Sequence, residues 1–225
     1  MTKLTENLWL YRYDLETLGV NIGRNVTVIR LESGDLVIHS TAPFSESDVL
    51  EIRSLGQPSW IVEGMVDHDT FSAKGRTAFP NIPFLAPPDL QSRLDFQIDS
   101  LEMPPEEWDT ELEIIPIKGA PKMAEYVFFH HPSGTLIVCD LLFHFPEPPS
   151  FWSKLLLTLA VGKNPAPGFS KRLKMAIDDE EAFRASILKV ISLPIKRIIP
   201  GHGEVLENNA GERAKQLFAK QGFLP

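Results

Sequence analysis

The chain contains a single cysteine, Cys139, among its 225 residues. An intrachain disulfide is therefore excluded, and we expect a reducing compartment, the cytoplasm, with Cys139 as a buried spectator. The N-terminal stretch MTKLTENLWLYRYDL has no continuous apolar segment of the kind that signal peptides carry. The longest apolar run, residues 155–161, is too short to cross a bilayer, so we expect no membrane partner.

Basic residues are outnumbered, with 22 Lys and Arg against 30 Asp and Glu and a net charge of −8. Nucleic acids attract an excess of positive charge, so we expect no nucleic-acid partner and a small-molecule substrate instead. The one basic cluster, KRLK at residues 171–174, is interpreted as a solvated helix face. The sequence does not specify an oligomeric state.

Repeats and low-complexity segments are also missing, and the proline clusters have apolar periodic segments on both sides. The composition, 43% hydrophobic and 23% charged, is that of an ordinary globular protein, and we expect a single domain over residues 1–225. Two β-rich blocks, each followed by helix, predict a mixed α/β (α+β) fold with helices outside two sheets.

Hydrophobic periodicity and turn residues place the individual elements. Strands are predicted at residues 25–31, 36–43, 59–62, 83–88, 94–102, 111–119, 124–131, 135–143 and 195–199. Helices are predicted at residues 45–56, 70–79, 151–161, 170–175, 178–192 and 210–221.

Polar residues lie just beyond two predicted strands, in the segments VDHD and PGHGE, and within or at the end of a third, in VCDLL. Asp67 and His68, then Asp140, then His202 would meet at one rim of the fold and could bind a divalent cation. The glycines on both sides of His202 permit a tight turn and a close backbone approach. Taken singly, Asp67 could be a turn residue, Asp140 a strand-end cap and His202 a hydrogen-bonded loop residue.

Together, the segments VTVIRLESGDLVIHSTAP, TLIVCDLLF and IIPGHGEVL resemble the metallo-β-lactamase superfamily. The resemblance implies a four-layer αββα sandwich with its site along one edge of the facing sheets. More narrowly, GMVDHDTFSAKGRTAFPNIPFLAPP and FFHHPSGTLIVCDLLF resemble a divergent branch of uncharacterised proteins.

The family signature, His-x-His-x-Asp-His, is incomplete in this chain. Its first two histidines fall on Glu63 and Met65, whereas its aspartate and last histidine fall on Asp67 and His68. A further family histidine has only GAPKMAE, residues 119–125, in its place, and the early strand-end aspartate falls on His39.

The missing histidines all belong to one of the family's two metal positions. The resemblance therefore implies one divalent metal bound by Asp67, His68, Asp140 and His202: zinc first, with iron or manganese as alternatives. Under a rival alignment His68 lies in a loop, no ion binds, and Asp140 and His202 are hydrogen-bonding residues.

Two functions follow from the resemblance. The first is a metal-dependent hydrolase of an ester, thioester or phosphodiester, in which Asp67 orients the attacking water or takes its proton. The second is a non-catalytic binding or scaffold protein that has kept the fold and lost the metal.

His130 and His131 are expected to be exposed turn residues, and His144 to share a strand face with Asp140.

Overall fold

The computed structural model describes residues 1–108, 110–146, 154–155, 158 and 167–224. The strands are β1 Thr2–Thr5, β2 Leu8–Tyr13, β3 Glu16–Thr17, β4 Val20–Asn21, β5 Arg24–Arg30, β6 Asp35–His39, β7 Gln57–Val62, β8 Phe84–Ala86, β9 Asp99–Ser100, β10 Leu112–Pro116, β11 Tyr126–His130, β12 Thr135–Ile137 and β13 Arg197–Ile199. The α-helices are α1 Glu46–Leu55, α2 Ser72–Ala78, α3 Lys171–Ala176, α4 Glu180–Ile191 and α5 Ala210–Lys220. Most of the helix predicted at residues 151–161 lies outside the described residues.

Two sheets form the centre of the molecule. The larger has the order β1-β2-β5-β6-β7-β8-β9 and is antiparallel as far as β6, then parallel. The smaller has the order β10-β11-β12-β13, with a parallel pair only between β12 and β13. The strands β3 and β4 form a separate ribbon.

Three apolar clusters separate four layers. Between the sheets, Leu10 and Val37 of the larger sheet pack in one cluster with Phe128 and Ile199 of the smaller. A second cluster joins the outer face of the larger sheet to α1 through Ile52. The third joins the smaller sheet to α4 and α5. The αββα sandwich predicted from the sequence is therefore confirmed.

Helix caps follow the sequence signals. Ser45 and Asp48 form a capping box at the start of α1, and Asp179 accepts a hydrogen bond from the Ala182 amide at the start of α4. Both caps satisfy amide groups that have no partner within the helix.

In the part of the chain that the structure describes, no helix is long and apolar enough to cross a membrane.

Several sequence predictions differ from the structure; the strand predicted at residues 135–143, for example, ends at Ile137. The strand predicted at residues 94–102 is reduced to Asp99–Ser100, because only these residues pair with β8, while the apolar side chains before them pack against the outer cluster. The strands β1 and β2 were not predicted. Leu8, Trp9, Leu10 and Tyr11 are all buried, so β2 lacks the alternation that reveals a half-exposed strand.

Candidate metal centre

Three loops at one edge of the sandwich bring together His68, Asp140 and His202. The loops follow β7, β12 and β13. One ligand atom from each residue lies within 4.8 Å of the other two. His68 Nε2 is 3.3 Å from Asp140 Oδ1, and His202 Nε2 is 3.5 Å from the same oxygen. Two atoms bound at about 2.1 Å to a tetrahedral zinc ion lie about 3.4 Å apart, so this spacing fits a metal ion.

The loop that carries His202 is tied to the start of β5. The Asn25 amide nitrogen donates to Gly201 O, and its side-chain Nδ2 donates to Pro200 O at 2.8 Å and Gly203 O at 2.9 Å. These bonds cross from one sheet to the other, and they hold the turn around His202 in place. Asn25 is a positioning residue that the sequence analysis missed.

The ring of His202 has a defined tautomer. Its Nδ1 faces the carbonyl oxygen of Gly23, which can only accept, so Nδ1 carries the proton. Burial lowers the pKa of His202, which keeps the ring neutral. Its Nε2 therefore presents a lone pair toward Asp140 Oδ1, with no proton between the two atoms.

Asp140 is ionised at the centre of the group. Burial by itself would raise its pKa, but the hydrogen bond and charge interaction with His68, with smaller contributions from His202 and Arg24, lower the pKa to about 2. The aspartate side chain is 17% exposed, whereas those of the two histidines are almost fully buried. A ligand from solvent would therefore reach the group beside Asp140.

His68 is held in the opposite tautomer. Arg24 Nη1 contacts His68 Nδ1, and since a guanidinium can only donate, Nδ1 is the acceptor. The Nε2 proton of His68 is then directed at Asp140. Burial first, and the charge of Arg24 second, lower the pKa of His68 to about 3. Asp140 and His202 can thus accept a cation as they stand. His68 would first have to lose the proton on its Nε2.

The backbone packs closely against this ring. A Cβ on Gly201 would lie 2.6 Å from His68 Cε1 and 2.8 Å from Cys139 O. The first glycine of the PGHG segment, Gly201, therefore lets the backbone pass close to the His68 ring, as the sequence predicted. The second, Gly203, has a φ of +88° and a Cβ there would lie 2.4 Å from His144 O.

Asp67 does not join the group, in contrast to the sequence prediction. It lies in a 3₁₀ helix, Val66–Phe71, where adjacent side chains point in different directions. His68 faces Asp140, while the Asp67 carboxylate pairs with Arg93 at 3.0 Å and with Arg172. Arg172, in the basic cluster at residues 171–174, is thus one of the ion-pair partners of Asp67.

The positions of the missing family histidines are occupied by buried side chains. Met65 packs in the apolar cluster beneath α4 and α5. The carboxylate of Glu63 accepts from the amide and hydroxyl of Thr41. Glu125, within GAPKMAE, accepts from the amides of residues 139, 140 and 141. It fixes the chain at Asp140, a role that the sequence analysis did not assign.

The remaining histidines, His39, His130, His131 and His144, lie outside the ligand group. His39 is buried and packs edge-on against Phe128. His130 is also buried, contrary to prediction, because its Nδ1 contacts Ser133 Oγ inside the hairpin, whereas His131 is exposed as predicted. His144 lies beside the turn after His202, with Nδ1 3.1 Å from Glu204 O, and it does not share a strand face with Asp140 as predicted, because β12 ends at Ile137.

A groove of about 350 Å³ adjoins the His202 loop. Its lining includes Gly23, Asn25 and Gly203, which contact or flank His202, together with Tyr13 and Phe145. The groove also contains the charged side chains of Arg12, Asp14 and Glu204, and its lining does not include the three ligand residues themselves.

Solved structures similar to this one include metallo-β-lactamases. DIM-1 metallo-β-lactamase is 17% identical, with a TM-score of 0.65 over 98% of this chain and 96% of its own. The metallo-β-lactamase from Pontibacter korlensis is 13% identical, with a TM-score of 0.64 over 98% of both chains. FIM-1 from Pseudomonas aeruginosa, in its mono-zinc form, is 16% identical, with a TM-score of 0.63 over all of this chain and 96% of its own.

This protein therefore has the metallo-β-lactamase fold, and the resemblance predicted from its sequence is confirmed at the level of fold. No family model and no curated protein sequence matches the chain.

Proposed function

We propose that this protein is a metal-dependent hydrolase with one divalent ion bound by His68, Asp140 and His202. The supporting observation is the convergence of the three side chains, in which His202 Nε2 lies 3.5 Å from Asp140 Oδ1 while its Nδ1 faces the carbonyl oxygen of Gly23. The lone pair of His202 Nε2 makes no favourable contact with the Asp140 carboxylate unless a cation lies between the two atoms. The carbonyl that orients His202 through Nδ1 is also the kind of partner that metal-binding histidines have.

Zinc is the proposed ion, with iron or manganese as alternatives, because two imidazoles and one carboxylate suit a borderline divalent cation. The mono-zinc form of FIM-1 shows that a neighbour of this fold can hold a single zinc. Three protein ligands leave a fourth position for water or substrate, and an ion there would lower the pKa of that water and polarise a carbonyl or phosphoryl oxygen.

Under this proposal, the residues of the site would have separate roles. Asp140 supplies negative charge to the ion, and His202 is kept in the correct tautomer by Gly23. Asp67 is the proposed proton acceptor, and it would have to exchange one of its arginine partners for the water. The groove beside His202 would hold a small ester, thioester or phosphodiester.

The test is metal analysis of protein purified without added metal or chelator, followed by a screen of ester, thioester and phosphodiester substrates. We expect close to one equivalent of metal in the wild-type protein and little in Asp140→Asn and His202→Ala. His131→Ala is the matched control, because His131 is exposed and contacts Glu113 and Phe129 rather than the ligand group. Equal metal content in all four proteins would refute the proposed centre.

A non-catalytic binding or scaffold protein is the second candidate. It is favoured by the hydrogen bond from His68 to Asp140, which satisfies both groups without an ion, and by the two arginines on Asp67. Absence of metal after supplementation with zinc, iron and manganese would support this candidate against the hydrolase.

A further inference from the structure

Arg24 is a buried cation beside the candidate metal centre. Its side chain is 1% exposed, and it is the only lysine or arginine among the buried charged residues of the described ranges. It is the first residue of β5, on the same face as Val26 and Val28, so it points toward the helix layer. A buried guanidinium is stable only where neighbouring groups compensate its charge.

The hydrogen bonds of Arg24 lead into the candidate centre, while its guanidinium also lies over the ring of Phe71, 6.0 Å from the centroid. Nη1 donates to Ser40 Oγ at 2.9 Å and to Nδ1 of His68, and Nη2 donates to the backbone oxygen of His68 at 3.3 Å. Ser40 Oγ in turn lies 3.5 Å from Glu63 Oε2. The guanidinium therefore lies between a proposed metal ligand and the carboxylate that replaces the first family histidine.

The same charge acts on the acids of the site. Burial raises the pKa of Glu63 to about 7, and Arg24 opposes that shift. Arg24 also contributes to the lowered pKa of Asp140. Among the residues that the structure describes, the Nε of Arg24 has no hydrogen-bond partner.

We propose that Arg24 is a built-in cation of this site, which stabilises the metal-free cluster and weakens the binding of a divalent ion. Two features carry the inference. The guanidinium donates to His68 Nδ1 and so directs the proton of Nε2 at Asp140, where an ion would bind. Its fixed positive charge also repels a second cation in the same buried space.

The inference rests on the proposed metal centre, and Arg24 is a positioning residue for it. Arg24→Met and Arg24→Gln remove the charge, and Arg24→Lys retains it. Zinc affinity of the purified full chain is measured by competition with a chromophoric chelator, and thermal unfolding is measured with chelator and with zinc.

We expect Arg24→Met and Arg24→Gln to bind zinc about tenfold more tightly or better than wild type, while Arg24→Lys stays close to it. In chelator the neutral variants should melt at lower temperature than Arg24→Lys, and zinc should raise their melting temperature more than that of wild type.

Zinc affinity in the neutral variants that is unchanged or weaker, in folded protein, would overturn the inference. If wild type binds one zinc that His202→Ala loses, such a result leaves the proposed hydrolase centre intact and removes only the role of Arg24. If neither wild type nor the neutral variants bind zinc, the proposed centre and this inference both fail.

Discussion

His202 donates its Nδ1 proton to the carbonyl oxygen of Gly23, a residue 179 positions away in the chain. The bond joins the last loop of the smaller sheet to the start of β5 in the larger one. It selects the tautomer in which Nε2 faces Asp140 as a lone pair. The chemistry available to His202 is therefore decided by a contact between the two sheets.

The Asn25→Ala variant should loosen this contact. Its side-chain amide donates to Pro200 O and Gly203 O, on both sides of His202. We expect the free energy of unfolding to fall by about 1–3 kcal/mol, since buried carbonyls lose their donors. Zinc affinity should fall with it. Asn208→Ala, at an exposed position in the following turn, is the control for chemical denaturation and zinc titration. Identical behaviour of the two variants would contradict this role of Asn25.

Substitution of Gly201 by alanine should displace His68. The new methyl group would lie 2.6 Å from the imidazole and 2.8 Å from a backbone oxygen, so something must shift. We expect a loss of stability of about 1–3 kcal/mol and weaker zinc binding. Gly211→Ala is the matched control, because its nearest contact would be 3.0 Å, at Ile195 O. Thermal unfolding of both variants with and without zinc checks the prediction, and equal losses would count against it.

Asp67 and Asp140 should differ in their effect on bound metal. Asp140 belongs to the ligand group, whereas Asp67 is engaged by Arg93 and Arg172. We expect Asp67→Asn to retain the metal content of wild type and Asp140→Asn to lose it. Metal analysis of the two variants, purified in parallel, is the measurement. Loss of metal from Asp67→Asn would restore Asp67 as a ligand, as the family signature implies.

The stability of the protein should depend on the protonation of His39. Burial, and then the charge of Arg24, lower its folded-state pKa from 6.5 to about 3. Between these values the unfolded chain takes up a proton that the folded chain does not. This histidine therefore makes the free energy of unfolding fall as pH decreases below 6.5, by up to about 1.4 kcal/mol per pH unit.

The His39→Leu variant should lack this contribution. We expect its free energy of unfolding to decrease less steeply than that of wild type between pH 6 and pH 4.5, a range set by the two pKa values. Urea unfolding at several pH values gives the comparison, in which the other titratable groups are common to both proteins. Parallel curves would show that His39 titrates normally in the folded state.

Much of the fold could be predicted from local sequence patterns. Runs rich in Val and Ile around the turn at Gly34 predicted the β5–β6 hairpin, apolar runs around Gly134 predicted the β11–β12 hairpin, capping residues predicted α1, and acids in the first turn predicted α4. Strand β2 was not predicted, because its place in the sheet is set by pairing with β5, which its own segment LWLYRY does not encode.

The sequence by itself placed His68 and His202 just beyond predicted strands and Asp140 within or at the end of another, since strand patterns and the Gly-His-Gly turn are local properties. Only the tertiary structure decided that His68 faces Asp140 while its neighbour Asp67 faces two arginines. It also decided that Arg24, an ordinary residue in the sequence, is buried against that histidine. Side-chain direction and burial depend on packing between distant segments, so no local pattern encodes them.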